Sequence, residues 1–174
     1  NGKLEFPGAR TVAAATARQV SKSPLKGVSI LVTGGATPVP LDDVRMVTNI
    51  FRGKLGREIA KELVLRGADV SFLLGSGLEV EDWLKPFTTV HKMYDEYRDR
   101  VLDRVRGQKR PEMLILSAAV ADYRPQEVFA GKIASKSPEL TLPPFVPTEK
   151  VVDRAHELAP ELPIVSFKLL SRVL

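Results

Sequence analysis

Arg45 and Asn49 stand four residues apart in a stretch that joins an apolar run to a helix-like one. An arginine fork suits a phosphate or carboxylate, and an asparagine amide offers both a donor and an acceptor. Thr33-Gly34-Gly35 lies upstream of the pair and Gly53-Lys54-Leu55-Gly56 lies downstream. Glycines of this kind let backbone amides approach a phosphate, and a helix start points unsatisfied N–H groups outward. The same residues also make a tight turn and a helix start with no ligand, so the pattern alone leaves both open. In the dinucleotide fingerprint the glycines and the helix start fall within about six residues. Here Ala36–Arg52 intervenes, with Asp42-Asp43 and two prolines.

A second group is Ser117-Ala118-Ala119-Val120-Ala121-Asp122, at the end of an apolar run. Small residues let a ligand lie against the backbone, and Asp122 could accept from a ribose or base, help hold a metal, or merely cap a turn. Lys132 and Lys136 follow in a loop, with Lys150 and Lys168 beyond. Loop lysines can close over a polyphosphate, and they are also the commonest of solvated residues. His91 and His156 are expected at the surface or on a helix flank, with no role, and Trp83 and Met93 in packing.

Composition removes several classes. There is no cysteine, hence no disulfide or thiolate chemistry, and two histidines cannot build a His-rich zinc site. No G-x-S-x-G elbow occurs. The net charge of +5 suits an anionic small molecule, whereas 6% aromatic residues supply few stacking platforms for nucleic acid. No apolar run reaches the roughly 20 residues of a membrane span and no signal-peptide pattern opens the chain, so a cytoplasmic protein without membrane contact is expected.

The elements that must carry these residues follow from periodicity. Residues 1–26 read as a tether, with a possible helix at Ala9–Val20, and residues 27–174 as one domain. Gly27–Thr33 reads as a buried strand, Lys54–Arg66 as a helix stopped by Gly67, and Val70–Leu74 as the next strand. Strand, helix and strand with glycine-marked joints form a βαβ unit. A short strand at Phe87–Val90, a helix at Tyr94–Arg106, a strand at Met113–Val120, a helix at Val151–Leu158 and a strand at Ile164–Phe167 continue the pattern. Residues 126–149 read as a long functional loop. The expected fold is α/β, a Rossmann-like open, mainly parallel sheet with helices on both faces.

Taken together, these segments resemble phosphopantothenoylcysteine synthetase, in the form fused behind a flavin-dependent decarboxylase. The blocks are LVTGGATPVPLDDVRMVTN (31–49), GKLGREIAKELVLRGADVSFL (53–73), SAAVADYRP (117–125) with GKI (131–133), and VSFK (165–168). Gly2–Pro7 resembles the tail that joins the decarboxylase half. The resemblance implies a ligase of coenzyme A biosynthesis that activates 4′-phosphopantothenate with CTP, ATP being the other option, and condenses it with cysteine. Magnesium on the triphosphate and a homodimer that completes its site across the interface are implied as well.

The resemblance also assigns roles. Asn49 would contact the acyl-nucleotide, Arg45 would approach the substrate phosphate, and Gly34, Gly35, Ser117, Ala118 and Ala119 would line the cleft. Asp122 would contact nucleotide, Lys132 its phosphates, Thr148 and Lys150 the nucleotide, and Phe167 the base. Gly53, Lys54 and Gly56 form the expected phosphate-binding helix start.

The chain departs from the family pattern at three places. Phe51-Arg52-Gly53 replaces S-S-G, V-P-T-E-K (146–150) replaces V-K-N-P-D, and no acid follows Phe167-Lys168. The family domain continues past this point with a lysine-bearing segment over the triphosphate, so the domain is expected to be incomplete at Leu174. LVTGG followed by GREIAKELVLRGADV also mimics a short-chain dehydrogenase opening, the competing NAD(P) reading, but no Tyr-x-x-x-Lys accompanies it. A nucleotide-binding module without catalysis is the third reading.

Overall fold

The computed structural model describes residues 7–134 and 141–169. Lys136, most of Gly2–Pro7 and the chain end at Leu174 lie outside the described residues. In chain order the elements are α1 (Ala9–Val20), β1 (Ser29–Gly34), β2 (Val39–Pro40), β3 (Met46–Val47), α2 (Lys54–Leu65) and β4 (Asp69–Gly75). There follow β5 (Thr88–His91), α3 (Tyr94–Arg106), β6 (Met113–Leu116), β7 (Tyr123–Pro125), β8 (Phe145–Pro147), α4 (Val151–Leu158) and β9 (Ile164–Ser166).

Five strands form one parallel sheet in the order β5-β4-β1-β6-β9. Its central strand β1 is buried at five of six positions, the continuous apolar reading of a strand covered on both faces. Alternation along the strands sorts the core into two layers. Ile30, Val32, Phe72 and Leu74 pack with Ala60, Leu63 and Val64 of α2 on one face. Leu31, Leu73, Leu114 and Leu116 pack with Tyr97, Val101 and Val105 of α3 and Val151 and Ala155 of α4 on the other. Each such large side chain contributes about 1.5–3 kcal/mol by leaving water, so the helices hold their faces through packing rather than propensity.

Helix α2 ends where the sequence stops it. Gly67 is left-handed at φ 88, its amide bonds Val64 O, and the Ala68 amide bonds Leu63 O, which closes a Schellman cap. Helix α1 does not hang free of this body. Arg18 bonds the Ala68 carbonyl and Asp69, and its guanidinium stacks over Phe87 at 5.3 Å. Among the described residues no helix is long and apolar enough to cross a membrane.

Three expectations change. The strand expected over Met113–Val120 ends at Leu116, and only Ala119 rejoins the sheet, in a single bridge to Ala36. Side-chain hydroxyls take over there from the backbone ladder. The insert after β1 contains an antiparallel β2–β3 hairpin, and the long loop is entered and left by the antiparallel pair β7–β8. His91, expected at the surface, is fully buried at the end of β5 against the Tyr97 ring. Its position opposite Gly75 on the outer strand places it inside the α3 layer.

Candidate functional site

Strand order reverses at β1: the chain steps outward to β4 and β5, then crosses back to β6 and β9. Open α/β sheets bind ligands in the crevice at the carboxyl ends of the strands flanking such a reversal. Gly34-Gly35 and Ser117–Ala119 occupy those two strand ends.

The glycines first serve close packing. A Cβ on Gly56 would stand 2.5 Å from both Ser117 Oγ and Thr33 O, and one on Gly53 would stand 2.5 Å from the Gly35 amide nitrogen. Only glycine lets the start of α2 rest on the ends of β1 and β6. Gly35 and Gly53 are also left-handed, at φ 85 and φ 62. The helix start so placed has no side-chain cap and no acid in its first turn. Lys54 and Arg52 are exposed beside it, and among the described residues neither forms an ion pair. A helix end of this kind carries uncompensated N–H groups and a partial positive charge.

The Ser117–Asp122 segment is clamped from several sides. Ser117 Oγ donates to Thr33 O at 2.5 Å, and the Ala118 amide donates to Thr33 Oγ1 at 3.2 Å. The Ala119 amide bonds Gly35 O at 2.8 Å, and the Ala121 amide bonds Thr37 Oγ1 at 2.8 Å. From beyond the loop Thr148 Oγ1 donates to Ala121 O at 2.5 Å, and the Thr148 amide donates to Asp122 O at 2.9 Å. Lys150 pairs with the Asp122 carboxylate, and this bond raises the lysine's pKa above its ordinary value. Asn49 crosses the crevice: its side-chain amide donates to Ala119 O at 2.9 Å and to Val120 O at 3.2 Å. With Nδ2 engaged by both carbonyls, Asn49 turns Oδ1 away from them. Pairing of Leu116 with Ser166 sets Phe167 level with Ser117 at the same sheet edge, half exposed.

The structure thus brings Gly34, Gly35, Asn49, Gly53, Gly56, Ser117, Ala118, Ala119, Asp122, Thr148 and Lys150 into one connected edge. Arg45 and Lys132 lie on an adjoining unit. Arg45 Nη1 bonds the buried Asp42 carboxylate at 2.6 Å and the Ile133 carbonyl at 3.3 Å. Burial raises the Asp42 pKa, yet the amides of Ile133, Val44 and Arg45, with the Arg45 charge, outweigh it and hold it to about 2. Lys132 is exposed. No bond among the described residues joins Lys132 to Asp122 or Lys150. Among the described residues no group of three or more His, Asp and Glu side chains could hold a metal ion. Asp122, the carboxylate at the crevice, is bound to Lys150.

Four residues have roles that the sequence does not assign. Thr33 and Thr37 are wholly buried, and their hydroxyls accept the amides that fix the second strand end. Tyr94 Oη donates to Glu149 O at 2.6 Å while its own amide bonds Pro38 O, which ties the insert to the Thr148–Lys150 arm. Asp42 organises its turn. The threonines bracket the glycine pair, Thr33 directly and Thr37 one residue removed, and that proximity is their one local signal.

The model of the DNA/pantothenate metabolism flavoprotein C-terminal domain matches residues 25–173. The Coenzyme A biosynthesis bifunctional protein CoaBC of Thermococcus kodakarensis is 32% identical over 167 residues, covering 96% of this chain and 40% of that relative. The protein of that name from Mycolicibacterium smegmatis is 36% identical over 117 residues, covering 66% of this chain and 27% of the relative. The chain therefore spans well under half of these relatives. A crystal structure of the DNA/pantothenate metabolism flavoprotein from Streptococcus pneumoniae superposes with a TM-score of 0.69 at 25% identity, over 85% of this chain and 72% of that one. A Cab2 mutant in complex with phosphopantothenate-cysteine shares the fold, with a TM-score of 0.60 at 16% identity, over 94% of this chain and 71% of that one.

Proposed function

The chain belongs to the DNA/pantothenate metabolism flavoprotein C-terminal domain family, and from that premise we propose that it carries the phosphopantothenate–cysteine ligase activity of coenzyme A biosynthesis. The 4′-phosphopantothenate carboxylate attacks the α-phosphorus of CTP, or of ATP, and pyrophosphate leaves. The cysteine amine then attacks the acyl carbon, loses a proton, and expels the nucleoside monophosphate as the amide forms. Activation supplies the driving force, because a carboxylate and an amine do not condense unaided in water. Holding both reactants in one crevice supplies much of the rate.

One observation carries this reading: Asn49 spans the crevice at the β1–β6 reversal and bonds the backbone of Ala119 and Val120. An asparagine so held presents a fixed carbonyl oxygen to a ligand placed against the small residues of 117–119. Around it the α2 start with Gly53, Lys54 and Gly56 suits the triphosphate, joined by Lys132 as pyrophosphate leaves. Arg45, whose Nη1 is engaged, retains Nη2 and Nε for the substrate phosphate. Asp122, Thr148 and Lys150 would take the nucleotide, with Phe167 against the base. Magnesium would arrive on the triphosphate. A second copy of the chain and an upstream flavin-dependent decarboxylase domain are the proposed partners, the latter because the relatives are bifunctional proteins. The competing nicotinamide reading rests on the opening LVTGG with GREIAKELVLRGADV alone, and no Tyr-x-x-x-Lys accompanies it.

Pyrophosphate release from CTP and from ATP, with magnesium and 4′-phosphopantothenate, is the test. Release with at least one of the two nucleotides is expected, and the ratio of the two rates reads the base preference. Asn49→Asp should still release pyrophosphate but slow amide formation by about a hundredfold, the scale of losing one positioned polar group. No release from folded protein with either nucleotide would sink the ligase reading.

A further inference from the structure

Lys132 sits in a stretch with almost no apolar reason to hold its shape. Residues 126–128, 130–132 and 134 are exposed, and Phe129 and Ile133 are only half-buried. Yet the backbone on both sides of Lys132 is tied to one turn. The Phe129 amide bonds Leu41 O at 3.1 Å. The Gly131 amide bonds Asp43 Oδ2 at 3.0 Å, and the Asp43 amide returns a bond to Gly131 O at 3.1 Å. The Ile133 amide bonds Asp42 Oδ2 at 3.0 Å, while Ile133 O accepts from Arg45 Nη1. Adjacent carboxylates therefore capture the two amides that flank Lys132, and Gly131 supplies the left-handed turn, at φ 75, that brings them into reach.

The charges are arranged to leave the lysine unspent. Asp42 Oδ1 is taken by the Val44 and Arg45 amides at 2.8 and 2.6 Å, and Oδ2 by Arg45 Nη1 and the Ile133 amide. Its negative charge is thus answered by Arg45 and by amides. Asp43 spends Oδ2 on Gly131. Among the described residues no carboxylate pairs with Lys132. The turn that carries both aspartates also leads through β3 to Asn49, so the tie fixes the loop to the strand-end crevice.

We propose that Asp42 and Asp43 form a two-carboxylate latch that sets the position of Lys132 and are positioning residues for its work on an anionic ligand. The proposal rests on the ligase reading for the identity of that ligand, a triphosphate, and not for the latch itself. A flexible loop would have to order Lys132 at each turnover, whereas the latch holds it ordered beforehand.

Asp43 is exposed, so its replacement leaves the core intact and makes the informative variant; Asp42→Asn, at a buried site, is the confirming one. In the full chain, Asp43→Ala is expected to speed amide exchange at Gly131 about tenfold, with exchange in β1 unchanged. Pyrophosphate release should fall about tenfold through kcat, and Asp43→Asn, which keeps an acceptor oxygen, should restore most of it. On a Lys132→Ala background the Asp43→Ala change should cost nothing further, because a residue acting through Lys132 has nothing left to position. A full additional loss on that background, or unchanged exchange at Gly131, overturns the proposal. If the wild-type chain releases no pyrophosphate, the ligase reading fails by itself, and exchange at Gly131 still decides the latch.

Discussion

Asp42 takes four donors on its two oxygens, three from its own turn and one from Ile133, and that density has a consequence in acid. Its carboxyl is lowered from the ordinary 3.8 to about 2, since the amides and Arg45 outweigh the burial that would raise it. Between those values the unfolded chain binds more protons than the folded one, so stability rises with pH there. The contribution is whole above 3.8 and is lost as pH falls through about 2. Acid titration of unfolding should therefore steepen across that window. In Asp42→Asn the steep limb should flatten, with a lower plateau at neutral pH; an unchanged slope would show that Asp42 does not control it. The residue scale is also where the sequence was least informative. Arg45 and Asn49 were readable as candidates. That Arg45 leans on Asp42, and that Asn49 reaches Ala119 seventy residues away, depend on topology that no local spacing encodes.

At the scale of elements, legibility followed length. Tyr94–Arg106 and Val151–Leu158 were read to the residue, because charged and apolar positions alternate at helical period over two turns or more. The pairs β2–β3 and β7–β8 were missed, since two or three residues cannot display a period. Met113–Val120 was read too long for a different reason. Its sequence stays apolar, but Ser117 Oγ and Thr33 Oγ1 divert the ladder after Leu116. The joint between α2 and the strand ends gives a sharp expectation. A methyl group at residue 56 must displace Ser117 or the Thr33 backbone, so Gly56→Ala should destabilise the fold by about 1–3 kcal/mol, against the usual gain for alanine in a helix. Because the displaced groups hold the crevice, nucleotide affinity should fall together with the unfolding midpoint. A variant as stable as wild type would mean that the helix shifts freely on the sheet.

For the whole molecule, the crevice joins segments that the chain keeps far apart, and one of its walls is unfinished. Among the described residues the β2–β3 hairpin is a sheet of two strands. Met46 and Val47 of β3 are exposed, as are Val44, Ile50 and Phe51 around them, with Ile50 91% exposed. An apolar run beside an open strand edge is a surface that proteins normally cover. Asn49 lies within it, so a second copy seated there would also close the crevice. Two-fold pairing through the same patch on both chains satisfies this with one surface. The wild-type chain should therefore sediment as a dimer at micromolar concentration, with an unfolding midpoint that rises with protein concentration. Met46→Glu places a charge within the same apolar patch of each chain and should give a folded monomer with weakened pyrophosphate release. A wild-type chain that sediments as a monomer would leave this edge without a partner and remove the second copy from the proposed partners. A monomeric Met46→Glu with full turnover would keep the dimer but show that each crevice works alone.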